Sequence, residues 1–409
     1  MILFWRNVQN MNKKQLGILI RCCISVACSI GLISNCIGIF YTPMAEGLAT
    51  GRGQIAVIST IISVASALTG PIVAKMIKKY PIHIIMTLGV TLTALGMVLL
   101  SFIRVLPVLY VIAAMIGIGT ICFKNLTVSI VLRSWFGNKS ASKLGIAMAM
   151  TGIVAAVMNP VLSSIIEASG YETAYRILAL IIALLGIPSV YTIRLGDADA
   201  PKPVPASQNG DEGKNTQAPA RTQIPVLLMV LMTVVLPITI AGATGMNTHF
   251  SSYAVTLGYT LGFGATVVSF QSIFNSVWKL VYGVLADRIG AVKSCVIYLI
   301  LTIVSCILLI VLTKLPAGII VGVSIFPMAF SVSTVGMPTI IQEVSKERFA
   351  EVFATANMVQ SIGYALFTSI YGMISDAAGV YLPCLILVIV CATICGVTCL
   401  TIAKKGKIK

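Results

Sequence analysis

Long apolar runs separated by short polar breaks make up most of this chain. They fall at residues 16–42, 53–75, 83–104, 107–132, 143–166, 173–194, 225–252, 260–285, 292–313, 317–341, 350–374 and 380–403. At about 1.5 Å per residue, each run as a helix is long enough to cross a hydrocarbon layer about 30 Å thick. A helix also satisfies its own backbone hydrogen bonds in lipid. The pattern predicts an all-α membrane protein of twelve transmembrane helices. The one soluble-looking tract, 195–224, is rich in Pro, Ala, Asn, Gln and Asp, and predicts a disordered cytoplasmic linker. It divides the chain into two six-helix halves, 1–194 and 225–409.

Composition agrees: 58% of the 409 residues are hydrophobic and 10% charged, which excludes a soluble domain of this length. A net charge of +16 raises the question of a polyanionic partner. Its distribution answers it. With the N-terminus inside, 21 of the 28 Lys and Arg residues fall on inner segments and 4 on outer ones; Arg21, Lys124 and Lys279 lie within spans. That asymmetry sets topology and places both termini in the cytoplasm, in a cell membrane such as a bacterial inner membrane. The expected surroundings are a lipid bilayer around a monomer, with no nucleic acid. The eleven cysteines show no metal-ligand spacing and read as small apolar filler. The first apolar span is too long for a cleavable signal and lacks a cleavage site. No nucleophile with a base, phosphate loop or metal cluster appears, so neither an enzyme, a metal nor a cofactor is expected.

Two membrane-embedded lysines stand out. Gln271, Asn275 and Lys279 are spaced i, i+4, i+8 and form one polar stripe on a helix. Lys279 lies eight residues before Asp287, roughly 12 Å from the water boundary. In the other half, Thr120, Lys124 and Thr127 follow i, i+4, i+7, with Lys124 roughly 13 Å deep measured from Arg133. A lysine at a helix centre costs roughly 2.5–3.5 kcal/mol on insertion scales. All twelve acidic residues lie in loops or at span ends, out of reach of either ammonium. Counter-ions missing from the chain point to an anionic substrate. The structural alternatives are snorkelling of either stem to the inner surface, or neutralisation by burial.

The halves rhyme: GPIVAKMIKKYP (70–81) follows the second span as KLVYGVLADRIG (279–290) follows the eighth. SIIEASGYETAY (164–175) likewise parallels GMISDAAGVYLP (372–383). With the Gly-x-x-x-Asp-Arg-x-Gly turn at 283–290 and the Gly/Pro-rich fifth span, this organisation resembles the major facilitator superfamily. GIFYTPMAEGLATGRGQI (38–55), LGIAMAMTGIVAAVMNP (144–160) and HFSSYAVTLGY (249–259) resemble its monocarboxylate transporter and oxalate–formate antiporter families. The resemblance implies the major facilitator fold, two pseudo-symmetric six-helix halves, and alternating-access transport of small organic carboxylates. It makes Gly283, Asp287, Arg288 and Gly290 gating residues. It also implies a substrate-binding base four positions before the turn glycine, where this chain has Lys279. The lysine that oxalate–formate antiporters carry in the eleventh span is absent from 353–372.

Two departures shape the expectations. The first-half turn has Lys78 where the superfamily has a latching acid; a weaker inner latch follows, and Lys78→Asp is expected to favour the outward-open state. Asn275 stands where some proton-coupled relatives have an aspartate. His249 matches a substrate-side histidine of the monocarboxylate family, with a packing role as the alternative. Asn357, Ser361, Tyr364, Tyr41 and Asn35 are candidate cavity-lining residues. Two charged lysines favour anion exchange; a proton-coupled monocarboxylate symporter is the alternative, and a non-transporting ligand sensor a remote one.

Overall fold

The computed structural model describes residues 11–50, 52–196, 225–346 and 348–406. The predicted linker lies, from residue 197 onward, outside the described residues. Among the described residues the chain is helical without strands. The long helices are α1 (Lys13–Phe40), α2 (Arg52–Lys79), α3 (Ile82–Phe102), α4 (Leu106–Phe136), α5 (140–169) and α6 (171–191). They continue as α7 (Val226–Thr256), α8 (Leu261–Ile289), α9 (Ala291–Val311), α10 (Pro316–Val344), α11 (Phe349–Ala378) and α12 (Leu382–Gly406). Helices α5 and α6 are separated by Gly170, whose φ of +81° is a conformation that glycine adopts without a Cβ penalty.

Nine helical runs among the described residues, α5–α6 counted as one, are long and apolar enough to cross a membrane. Helices α8 and α11 are not in that set. They carry Gln271, Asn275 and Lys279, and Asn357, Gln360 and Ser361, within spans of full length. Elsewhere large apolar side chains such as Leu88, Val111, Leu184 and Val397 face outward, as a lipid-bathed surface requires. Buried Ser and Thr hydroxyls mostly bond a carbonyl one turn back, as Thr93 bonds Gly89 at 2.8 Å and Thr302 bonds Tyr298 at 2.8 Å.

The internal repeat is visible in the irregularities. Helix α1 unwinds at Asn35–Cys36 and re-forms as a 3₁₀ turn, Ile37–Phe40; α7 has its own 3₁₀ turn at Met246–His249. Helix α4 breaks at Cys122–Lys124 and α10 at Phe326–Pro327. Unwound stretches of this kind in membrane helices are tolerated where protein or a cavity surrounds them.

The two bundles, α1–α6 and α7–α12, meet chiefly along α5 against α8 and α2 against α11. The α5–α8 seam depends on small residues. A Cβ on Gly145 would stand 2.5 Å from the Lys279 carbonyl, and one on Gly283 would stand 2.6 Å from the Ala141 carbonyl. A Cβ on Gly152 would run into Ser276 Oγ and lie 3.2 Å from the Ser272 carbonyl. Such close backbone approach is what small residues provide between membrane helices.

Candidate functional site

Polar bonds between the bundles gather at the end that carries Lys78 and Asp287, here called the basic end. Asp287 Oδ2 accepts from the backbone N–H of Ser142 at 3.1 Å, in the first turn of α5, where a carboxylate also meets the positive end of the helix dipole. Gln342 Nε2 donates to the Gly137 carbonyl at 3.1 Å, and Ser140 Oγ to Gln342 Oε1 at 3.2 Å. Lys78 and Glu351 form an ion pair at 3.5 Å from α2 to α11. The basic end is therefore closed. At Lys78, where a weaker latch is expected, the other bundle supplies an acid, Glu351, which also pairs with Arg348 at the start of its own helix at 3.0 Å. Arg288 is exposed, and Gly290, φ +92°, makes the turn from α8 to α9.

Lys279 lies in the seam above this closure. It is 3% exposed, and its Nζ donates to Thr151 Oγ1 of the opposite bundle at 3.0 Å. Lys124 lies on α4, half-buried, with Nζ 3.4 Å from Ser34 Oγ on α1. Neither ammonium has a carboxylate within 4.0 Å among the described residues. The expectation that Lys124 continues a helical stripe from Thr120 is corrected. The helix ends at Ile121 and restarts at Asn125, with Lys124 as its extended N-cap. Thr120 is fully buried and bonds the Ile116 carbonyl at 2.6 Å, so its hydroxyl is not presented with Lys124.

The unwound part of α1 touches both lysine environments. Ser34 meets Lys124, and the next residue, Asn35, donates its amide to the Thr151 carbonyl at 3.0 Å. On α8, Gln271 is buried and donates to the side-chain oxygen of Asn247 on α7. Asn275 is half-buried with a carbonyl oxygen that accepts no hydrogen bond, and the Ser276 hydroxyl is likewise without a partner. Along α11, Asn357, Ser361 and Tyr364 are spaced on one face and all are half-buried. Tyr364 lies beside Asn247 and Thr368, and Ser361 Oγ bonds the Asn357 carbonyl at 2.8 Å. Tyr41, half-buried, begins the short helix Tyr41–Gly47 that follows α1.

His249 is held from two sides. Its Nε2 lies 2.9 Å from the Thr368 carbonyl, an arrangement only an N–H satisfies, and Nδ1 faces the Tyr381 hydroxyl at 3.5 Å. No group of three or more His, Cys, Asp or Glu side chains among the described residues could hold a metal ion. The described cysteines are all free thiols.

The sequence model of the Major Facilitator Superfamily matches residues 23–368. The chain belongs to this superfamily. It is thus a multi-pass membrane transporter and not an enzyme. It is 23% identical to the oxalate:formate antiporter of Oxalobacter formigenes over 272 residues, 66% of this chain and 63% of that protein. It is 27% identical to monocarboxylate transporter 12 of Xenopus laevis over 158 residues, 38% of this chain and 34% of that one. Both alignments span less than two thirds of the relative's length. Among solved structures, the major facilitator transporter FucP in its outward conformation superposes with a TM-score of 0.69 at 16% identity, over 94% of this chain and 98% of that one. An outward-facing bacterial homologue of the iron transporter ferroportin gives 0.64 at 13% identity, over 96% and 100%. These structures share the fold.

Within that superfamily fold, three partners escaped sequence reasoning: Thr151, Asn247 and Ser34. Thr151 stands directly before Gly152 in the α5 glycine series, so the closeness of α5 to α8 was readable. Which α5 hydroxyl would meet Lys279 was not. Asn247 belongs to the polar run Asn247–His249, which marks the α7 break.

Proposed function

We propose that this superfamily member is a secondary active transporter that exchanges small organic carboxylate anions by alternating access. The observation that carries the reading is Lys279: an ammonium 3% exposed between the bundles, held by one neutral hydroxyl, with no carboxylate within 4.0 Å among the described residues. Burying such a charge is costly, and a carboxylate supplies the missing counter-charge through a charge-assisted hydrogen bond. Lys124 supplies a second ammonium from the other bundle. A dianion leaves the pair neutral and a monoanion leaves it at +1. Moving an empty doubly positive site through low dielectric is slow, which favours exchange over net flux. The partial likeness to an oxalate:formate antiporter and to a monocarboxylate transporter supports the same substrate class.

In this reading the halves 1–194 and 225–409 move as bodies and both termini are cytoplasmic. The basic end is then the inner end, and its closure makes this the outward-facing state. Gln271, Asn275, Asn357, Ser361 and Tyr364 are the neutral groups around the anion path, with Asn35 and Tyr41 on the α1 side.

Counterflow tests it. Proteoliposomes preloaded with unlabelled oxalate or formate take up the labelled anion, and empty ones do not. Uptake into empty vesicles driven by an inward proton gradient alone replaces exchange with proton symport. Specific binding without any uptake favours a sensor. Uptake fully retained in Lys279→Gln removes Lys279 from the site.

A further inference from the structure

Lys279 is not waiting in an open cavity. Its ammonium is tied across the seam to Thr151, so an incoming anion must first displace a bond that spans the two bundles. We propose that Thr151 is the positioning residue for Lys279 in the unloaded carrier. A substrate carboxylate takes the ammonium from Thr151, and loading thereby releases a tie that holds the basic end shut. This deepens the reading of Lys279 as an anion-binding residue and rests on it.

Four features make Thr151 a holder that yields. Its hydroxyl proton is already used on the Met148 carbonyl at 2.8 Å, so toward Lys279 it acts as a neutral acceptor. An ammonium has three donors, and one neutral acceptor serves a single one of them. A carboxylate accepts more strongly than a hydroxyl and wins the exchange. Thr151 is also fixed from behind, since its carbonyl receives the Asn35 amide from the unwound part of α1 at 3.0 Å.

Position matters as much as bond strength. Lys279 lies between two close contacts of the seam, Gly152 against Ser276 and Gly283 against Ala141, and its own carbonyl makes a third, against Gly145. The Lys279–Thr151 bond opposes separation of α5 and α8 there. One turn back on α8, Asn275 holds a buried carbonyl oxygen without a partner, within i−4 reach of the released ammonium. Lys124 is half-buried beside Ser34, one residue from the Asn35 that braces Thr151. An anion drawn to Lys124 arrives at the α1 break next to the tie it must undo.

The test needs no transported ligand. Spin labels at exposed Lys79 and Lys346 report the width of the basic end in the full-length reconstituted protein. The natural cysteines are buried apart from half-buried Cys23, which limits background labelling. Without substrate, Thr151→Val, which preserves side-chain shape, raises the fraction open at the basic end about fivefold or more, from the worth of a hydrogen bond to a charged group. Thr151→Ser behaves as wild type. Lys279→Gln gives the same shift, and the double variant gives no more than either single one, because both remove one bond. Adding oxalate to the wild type moves it in the same direction.

Additive shifts, or a Thr151→Val distance distribution equal to wild type, overturn the proposal. Should Thr151→Val fail to accumulate, Lys279→Gln alone reads the same distance, and an unchanged distribution overturns the tie. The underlying reading fails separately, when Lys279→Gln still transports.

Discussion

Lys78 and Glu351 pair at 3.5 Å across the basic end, from the last turn of α2 to the first turn of α11. The pair is exposed, with 56% and 43% of the side-chain surfaces accessible. Pairs of that kind contribute about 0–1 kcal/mol. Lys78→Asp therefore opposes Glu351 with a like charge and loosens the closure. The expected result is a fall of about two- to fivefold in the closed-to-open ratio at the basic end, measured by cysteine accessibility. Glu351 also pairs with Arg348 at the start of its own helix at 3.0 Å, so the charge-swapped double variant Lys78→Glu/Glu351→Lys restores the ratio only in part. A shift of Lys78→Asp toward the closed state would revive the superfamily-type latch, in which an acid at this position helps hold the two halves together at the inner end.

The seam glycines give a larger effect. A Cβ at Gly145 or Gly283 would sit 2.5–2.6 Å from a backbone carbonyl, which packed helices cannot accommodate without moving. Overpacking of a fixed core costs roughly 1–3 kcal/mol in stability. In the proposed alternating-access cycle, opening the basic end parts this surface and so relieves the clash. Gly145→Val is expected to keep its melting temperature within about 3 °C and to shift the population toward the basic-end-open state by about tenfold. Distances between labels on α2 and α11 check the shift. A large loss of melting temperature with no change in distances would make α5 and α8 a fixed core.

The charge on Lys124 is expected to sort substrates by valence. Its ammonium meets one hydroxyl, Ser34, and no carboxylate among the described residues. In Lys124→Gln the dianion loses a hydrogen bond to a charged group, so oxalate inhibition weakens about 10- to 100-fold. Formate inhibition changes less, because a single ammonium still neutralises it. Competition against a common labelled substrate gives the ratio. A ratio equal to wild type would place Lys124 outside the anion path.

Much of the fold was legible because a bilayer imposes length and hydropathy on every span. Even α8 and α11, the least apolar long helices, were readable once Lys279 and Asn357 were treated as interior polar positions. Their polar faces are what lowers their hydropathy. The α4 break was not legible. Cys122–Phe123–Lys124 contains neither glycine nor proline, and the hydrophobic pattern runs straight through it, so tertiary packing overrides local preference there. That no acid pairs with Lys279 among the described residues could be read by exhausting the acids. The hydroxyl partner of Lys279, 128 residues earlier, and the pairing of Lys78 with Glu351 depend on how two bundles dock, which periodicity does not encode.

His249 separates exchange from proton coupling. Its Nε2–H is committed to the Thr368 carbonyl at 2.9 Å, and Nδ1 faces the Tyr381 hydroxyl at 3.5 Å, so both ring nitrogens are engaged by protein groups. A relay histidine needs one nitrogen free to exchange a proton with substrate or water. In this geometry the ring acts as a brace between α7, α11 and the start of α12. His249→Gln keeps a donor for Thr368 and is expected to retain counterflow within about twofold, with a pH profile that superposes on wild type. The loss falls on stability instead, about 1 kcal/mol for a weakened buried hydrogen bond. A His249→Gln carrier that melts normally but loses the pH dependence of uptake would turn the brace into a proton site. It would also move the mechanism from anion exchange toward symport.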